Sequence, residues 1–537
     1  MSGTVEALEP EVHDDIGGLK RDISWTGAFW MASGVPALVL FSIGGIGATV
    51  LGASWLVWTI SVWMGFFQSF TYAEIAGIFP GKSGGTSVYG AIAWIRYSKY
   101  IAPLSVWCNW FAWTPVLAIG TGLAAGYILT YLFGADSSAM TWQITLVPLD
   151  FLKDGLELRF SWVWILGAGI LLCVFLAQHY GILRAARFTM ILGIVALLPL
   201  IAIGIVPFFT GDVLGSNLTP LAPLLGENGE GIWGMSGWKL FIGGLFIAAW
   251  STYAFETSVC YTSELKNPKK DTIKAITSSG LLCVFVFMIV PISFQGVLGI
   301  NGLLEDGIYS GMGVGEAMAD MLGGGSVVTP IVIVLLILAL ILSIMTAMGG
   351  SSRTIYQASV DGWFPKYMSH VNKHGAPTAA MWTDLGFNLI LLLMSDYVFV
   401  LAVSNGCYII FNFLNLNSGW IHRIDSGHIK RPWKCPNWLL GFNTCLSFVN
   451  AAFLGIGANV WGKSTLIATA VWAALIIPVF LFRHYVQDKG RFPDHMYDDL
   501  GIQHGELLVK KAGIKPYLAL VAGLAVVVTG AWIFWNY

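Results

Sequence analysis

Thirteen apolar runs govern what this chain can become: 26–51, 54–79, 101–133, 161–178, 187–209, 238–262, 274–300, 327–350, 377–395, 397–420, 437–460, 465–482 and 516–535. About 20 apolar residues cross a bilayer as a helix. The chain has 537 residues, 56% of them hydrophobic and 11% charged, whereas roughly a quarter of a soluble domain is charged. Soluble cores cannot hide this much apolar surface. The expected fold is an all-α polytopic membrane protein with the lipid bilayer as its solvent. The run 516–535 follows a long polar stretch and reads either as a thirteenth span or as an interfacial helix.

The polar segments carry the topology. Residues 1–24 are acidic (Glu6, Glu9, Glu11, Asp14, Asp15), unlike the basic start of a signal peptide, so the first run is expected to remain as a span. Lys and Arg stay on the cytoplasmic side. With the N-terminus cytoplasmic, Lys82, Arg96, Lys99, Arg184, Arg187, Lys266, Lys269, Lys270, Lys274, Arg353, Lys366, Lys373, Arg423, Lys430, Arg431 and Lys434 fall inside. Lys153, Arg159, Lys239 and Lys463 fall outside, and the loops 210–236 and 301–326 hold no cation. A net charge of −2 gives no footprint for nucleic acid. The seven cysteines are odd in number and form no CxxC pair; they read as packing residues, neither a disulfide frame nor a metal site.

Two spans carry reasons to break. The first contains Ser33-Gly34-Val35-Pro36-Ala37, and Pro36 lacks an N–H and clashes with the preceding turn. Such a break in hydrocarbon is tolerated only where it lines a cavity or packs against protein. The sixth contains Trp250-Ser251-Thr252-Tyr253-Ala254-Phe255-Glu256. A carboxylate at a helix centre costs roughly 2.5–3.5 kcal/mol on insertion scales, so Glu256 marks either a functional site or a structural partner for freed backbone N–H groups. Spans one and six are five apart. Secondary transporters are often two inverted five-helix repeats, each opened by a broken helix, with substrate between the breaks. The organisation expected is a cytoplasmic tail 1–24, repeat one over 25–209, repeat two over 237–423, spans eleven and twelve over 437–482, and a cytoplasmic segment with a possible last span over 483–537.

Three motifs give the chain a resemblance. Tyr72-Ala73-Glu74-Ile75-Ala76 with Phe79-Pro80-Gly81-Lys82-Ser83-Gly84-Gly85 follows span two. Glu264-Leu265-Lys266-Asn267-Pro268-Lys269-Lys270 follows span six, where Asn267-Pro268 is expected to stop the helix. Ser352-Arg353, Asp361-Gly362-Trp363-Phe364-Pro365 and Val371-Asn372-Lys373-His374-Gly375-Ala376-Pro377 follow span eight. Together they resemble the amino acid–polyamine–organocation superfamily of permeases. That resemblance implies the leucine-transporter fold, with two or three extra C-terminal helices, in which spans 1, 2, 6 and 7 rock against spans 3, 4, 8 and 9. In similar arginine–agmatine exchangers a Trp stands six residues before a Glu on helix six. Trp250 and Glu256 share that spacing, which makes Trp250 the candidate gate and Ser251, Thr252 and Tyr253 candidate pocket walls. The family's G-S-G turn on span one grips a carboxylate; here Pro36 removes a donor.

Further candidates are Asn109 and Trp113 in span three for the pocket, and Ser343 and Thr346 in span eight for a sodium site shared with span-one carbonyls or for bonds to helix backbone. Asp384 in span nine reads as a proton relay or a scaffold partner, and His179 and His422 as interfacial. Two functions fit. One is secondary active transport of a small amino acid, amine or related organic solute by alternating access. The other is a transport-inactive, transporter-like sensor. The coupling ion is a proton or sodium, no cofactor or nucleic-acid partner is expected, and the oligomeric state stays open. The expected location is a bacterial inner or plasma membrane.

Overall fold

The computed structural model describes residues 19–134, 136–227, 229–305, 307–498 and 510–537. Most of the acidic tail expected over 1–24 therefore lies outside the described residues. Within them the chain is an all-α polytopic membrane protein. Eleven helical segments are long and apolar enough to cross a membrane; the first, 54 residues long, folds back at Leu51 and contains spans one and two. The ninth run becomes the short helix Thr378–Leu391. The last run is the helix Lys515–Asn536, packed along the eleventh span, Asn437–Gly457. Gly455 and Gly530 let those two backbones touch: a Cβ on Gly455 would lie 2.5 Å from the Val527 carbonyl oxygen.

Burial separates centre from periphery. In span six 89% of the apolar window is buried inside the protein, but in the last helix only 11% is. Val521, Leu524 and Val528 project outward from that helix, the side-chain pattern of a lipid-facing element. Around the centre, span two (Ser54–Ile78) packs on span seven (Pro268–Leu303), and span ten (Tyr397–Asp425) packs on span three. Span eight (Gly325–Val360) lies against spans three and five.

Span three is assembled from Thr86–Trp94, Ile101–Trp113 and Pro115–Phe133. It starts from Gly84 and Gly85, both at positive φ (92° and 85°), a conformation glycine reaches without a Cβ penalty. Asn267-Pro268 acts differently from the expectation. Span six has already ended at Glu264, and Pro268 opens span seven at its first position, where its missing N–H costs nothing.

Between spans three and four the chain forms an antiparallel hairpin, Gln143–Pro148 with Glu157–Ser161. This hairpin, the 307–313 turn and the 392–398 connection lie at one end of the bundle, here called the hairpin face. Lys82, Glu264, Arg353 and Asp361 meet at the other end, the basic face.

Candidate functional site

Both proposed breaks exist. Span one runs as α-helix over Trp25–Met31, passes through Ser33 and Gly34, continues as a 3-10 turn over Val35–Leu38 and resumes as Val39–Val50. Pro36 sits at the second position of that turn, where no N–H is needed. Span six is α-helical over Met235–Thr252 and then 3-10 over the eleven residues Ala254–Glu264. Runs of 3-10 longer than three or four residues are uncommon, and within a helix they often mark a hinge.

The two breaks meet each other. Ser251 Oγ donates to the Leu38 carbonyl at 3.3 Å and lies 3.3 Å from Ser42 Oγ. Phe41 and Trp250 pack with ring centroids 5.8 Å apart. Each break is also tied to its surroundings. Thr346 Oγ1 donates to the Met31 carbonyl (2.7 Å) and accepts from the Gly34 N–H (3.1 Å). Gly34 is required there, since a Cβ would lie 2.4 Å from the Leu342 carbonyl oxygen. Trp250 Nε1 donates to the Ala112 carbonyl and to Ser404 Oγ, both at 2.9 Å. Glu256 accepts from Thr86 Oγ1 (2.7 Å) and Trp113 Nε1 (3.2 Å).

Other candidates lie farther from this meeting point. Thr252 Oγ1 pairs with Ser61 Oγ of span two at 2.7 Å, and Tyr253 donates to Asn450 Oδ1 of span eleven at 3.0 Å. Both side chains thus face spans two and eleven, not span one. Ser33 Oγ donates to the Trp30 carbonyl and faces Gly193 of span five. Val35, Pro36 and Ala37 are buried in the turn itself. Asn109 accepts from Ser87 Oγ and Thr354 Oγ1, one layer nearer the basic face. Ser343 donates to the Leu340 carbonyl of its own helix, while Thr346 bridges span one as described. Asp384 accepts from Trp110, Thr114 and Ser351, which makes it a scaffold partner of spans three and eight. His422 is buried rather than interfacial, with Nε2 3.0 Å from the Tyr89 carbonyl and its ring against Phe79.

Sequence reasoning missed Ser42, Thr86 and Ser404. Ser42 is a lone hydroxyl among apolar neighbours, Ser404 adjoins Asn405 and Thr86 adjoins Ser87, and only the packing shows that each faces a break. The hairpin was also missed, although Gln143-Ile144-Thr145-Leu146 and Glu157-Leu158-Arg159-Phe160-Ser161 alternate polar with apolar, the period of a half-exposed strand.

The basic face is closed over the site. Arg353 binds Glu264 with both arms (Nε–Oε2 2.5 Å, Nη2–Oε1 3.0 Å) and stacks on the Tyr261 ring at 4.9 Å. Lys82 Nζ donates to Asp361 Oδ1 at 2.6 Å, and His495 Nε2 reaches the same oxygen at 3.1 Å. Glu74 accepts two bonds from Arg423, one from Arg431 and one from the Cys435 N–H.

Two broken spans facing one another inside a bundle of this kind define a polytopic transporter of the permease class. The chain belongs to the amino acid permease family, whose sequence profile matches residues 23–481. It is 22% identical over 421 residues to the branched-chain amino acid permease BcaP of Lactococcus lactis, covering 77% of this chain and 83% of that one. It is 24% identical to an uncharacterized transporter of Legionella pneumophila, over 67% and 70% of the two chains. Human solute carrier family 7 member 13 is 23% identical over 36% of this chain and 39% of its own length. These relatives are transporters by name, not enzymes.

Proposed function

We propose that the protein is a secondary active transporter that carries a small amino acid or amine by alternating access between the breaks of spans one and six. The observation that carries this reading is the direct contact of the two breaks through Ser251, Ser42 and Leu38. Residues 25–209 and 237–423 are the two five-span units, the basic face is cytoplasmic, and the membrane is a bacterial inner or plasma membrane. Trp250 is the gate between the breaks. The driving ion is a proton or sodium, and uptake driven by a pH gradient or by a sodium gradient separates the two.

The head group follows from the donors of span one. Ser33, Val35 and Ala37 N–H groups bond the carbonyls of Trp30, Ala32 and Gly34, the Gly34 N–H bonds Thr346, and Pro36 has no N–H. A carboxylate must displace one of these partners. A hydrogen bond to a charged group is worth about 1.5–3 kcal/mol, or roughly one to two decades in affinity. An amine instead meets the face of Trp250, worth up to about 2 kcal/mol when desolvated. Glu256, held by Thr86 Oγ1 and Trp113 Nε1, lies on the same span as Trp250. Recognition therefore rests mainly on the amine end.

Competition uptake into proteoliposomes tests the reading. Decarboxylated amines should compete with the matching amino acids, and Trp250→Ala should abolish uptake of both. Amines that fail to compete while amino acids succeed overturn the head-group assignment. Uptake of nothing in an amino acid and amine panel by folded protein favours the sensor.

A further inference from the structure

The hairpin face holds a cavity of about 480 Å³, within the size range of small-molecule sites, roughly 300–1,000 Å³. Its lining includes Gln143, Glu157, Arg159, Tyr309, Ser310 and Asp396. Glu157 and Arg159 stand two residues apart on one strand, so their side chains share a face about 7 Å apart. They carry opposite charges, yet among the described residues they form no ion pair with each other. Gln143 bridges them. Its Oε1 accepts from Arg159 Nη1 at 3.0 Å, and its Nε2 points to Glu157 Oε1 at 3.4 Å. Thr145 Oγ1 donates to the other Glu157 oxygen at 2.7 Å.

A carboxamide thus presents oxygen to a guanidinium and N–H to a carboxylate. That is the polarity of an α-amino acid, carboxylate at one end and ammonium at the other, with the charges removed. A zwitterion in place of the amide would turn both contacts into charge-assisted bonds, roughly twice as strong as neutral ones. The frame is already set. The Arg159 N–H donates to the Leu393 carbonyl, the Ser395 N–H donates to the Glu157 carbonyl, and the Glu157 N–H donates to Ser395 Oγ. Asp396, one residue on, caps span ten at the Phe399 N–H and pairs with Lys153. Two charged arms on a strand fixed this way need little reorganisation to bind.

We propose that this cavity is a second amino-acid site, in which Arg159 holds the carboxylate and Glu157 the ammonium of a zwitterion once Gln143 swings aside. It rests on the amino-acid reading above but not on the central site.

The test uses full-length protein in detergent, carrying Ser310→Cys in a Cys173→Ser, Cys445→Ser background, because those two native cysteines are exposed. Labelling by a charged methanethiosulfonate reports occupancy of the cavity. L-Leucine, L-alanine or L-glutamine should slow labelling about tenfold at roughly ten times the Kd, as mass action requires. Isopentylamine and isovalerate, each with one charge, should protect far more weakly. Arg159→Gln and Glu157→Gln should each remove protection while the protein keeps its gel-filtration profile. Protection should persist in Trp250→Ala, which disables the central site. Loss of protection in Trp250→Ala shows that the effect is transmitted from the centre and overturns the proposal, as does protection that survives Arg159→Gln, equal protection by isovalerate, or no protection by any of the three amino acids. Failure of uptake in Trp250→Ala with protection intact supports both readings, the central site by the lost uptake and this cavity by the protection that remains.

Discussion

The two ends of the bundle are closed by different means. At the basic face the closing groups are charges taken out of water: Arg353 and Glu264 are 3% and 0% exposed, and Lys82 and Asp361 likewise 3% and 0%. They tie the turn before span three and the ends of spans six and eight to one another, and Ile23 joins them through the backbone of Glu264 and Lys266. At the hairpin face, among the described residues, the pair of comparable position, Lys153 with Asp396, is about a quarter exposed (26% and 27%). Closure there relies on backbone approach, as where a Cβ on Gly44 would lie 1.8 Å from the Ile308 carbonyl oxygen. A buried pair gives a strong penalty for partial opening, because one charge cannot leave without stranding the other. An exposed pair trades its partner for water at little cost. Partial separation therefore costs more at the basic face than at the hairpin face.

The sharpest way to break this contrast is Glu264→Gln. It leaves the Arg353 guanidinium buried with the Gly349 carbonyl and the Tyr261 ring as its neighbours. Stranding a buried charge costs about 3–5 kcal/mol. The variant should show a clear fall in apparent melting temperature in detergent, and the double variant Glu264→Gln, Arg353→Gln should recover the larger part of it. A single variant as stable as the native protein would mean that the seal lies elsewhere.

The contrast also shows what was legible in the sequence. The spans were, because bilayer thickness imposes a length on every apolar run, and the two breaks were, because Pro36 and the polar stretch of span six violate the rules of a buried helix. The motif glycines at 84 and 85 were legible for the same local reason. Partnerships were not. Thr346 was legible only as a hydroxyl that could join span-one carbonyls at a sodium site; that it donates to the Met31 carbonyl and accepts from the Gly34 N–H, 312 residues away, is set by packing. Thr252 and Tyr253 adjoin the gate in sequence, but at about 3.6 residues per turn each step along the helix end points to a new side, and theirs face spans two and eleven. The hairpin lay outside a search for long apolar runs, though its alternation was there to be read.

A smaller effect sharpens the comparison through pH. Burial favours the neutral form of Asp361, but Lys82 and His495 outweigh it and hold the carboxyl below the usual carboxylate range. A folded-state value below the unfolded one stabilises the folded state at every pH above the unfolded value, about 3.9 for Asp. That contribution fades as pH falls through the lowered folded value. Wild-type thermal stability should therefore drop more steeply on acidification below about pH 5 than that of Asp361→Asn. The segment carrying His495 should loosen with it, read as faster proteolysis after residue 488. Parallel acid profiles for the two proteins would remove Asp361 from the seal.

The smallest expected effect belongs to the hairpin face and is the control for all the others. Lys153 and Asp396 make a hydrogen-bonded ion pair, and by contact alone it looks as strong as Lys82 with Asp361. Exposure decides otherwise. Water solvates both charges once they separate, salt screens the attraction over about 8–10 Å, and exposed pairs contribute about 0–1 kcal/mol. Asp396 also keeps a bond to the Phe399 N–H when Lys153 is gone, so no unsatisfied carboxylate is left behind. Lys153→Gln should then lower stability by less than about 1 kcal/mol, and that loss should shrink further at high ionic strength. The measurement is a set of melting curves at low and high salt beside Glu264→Gln, whose loss should survive salt because its charges are buried. If Lys153→Gln destabilises as much as Glu264→Gln, and salt leaves it unchanged, the hairpin face is sealed as firmly as the basic face and the asymmetry between the two ends is gone.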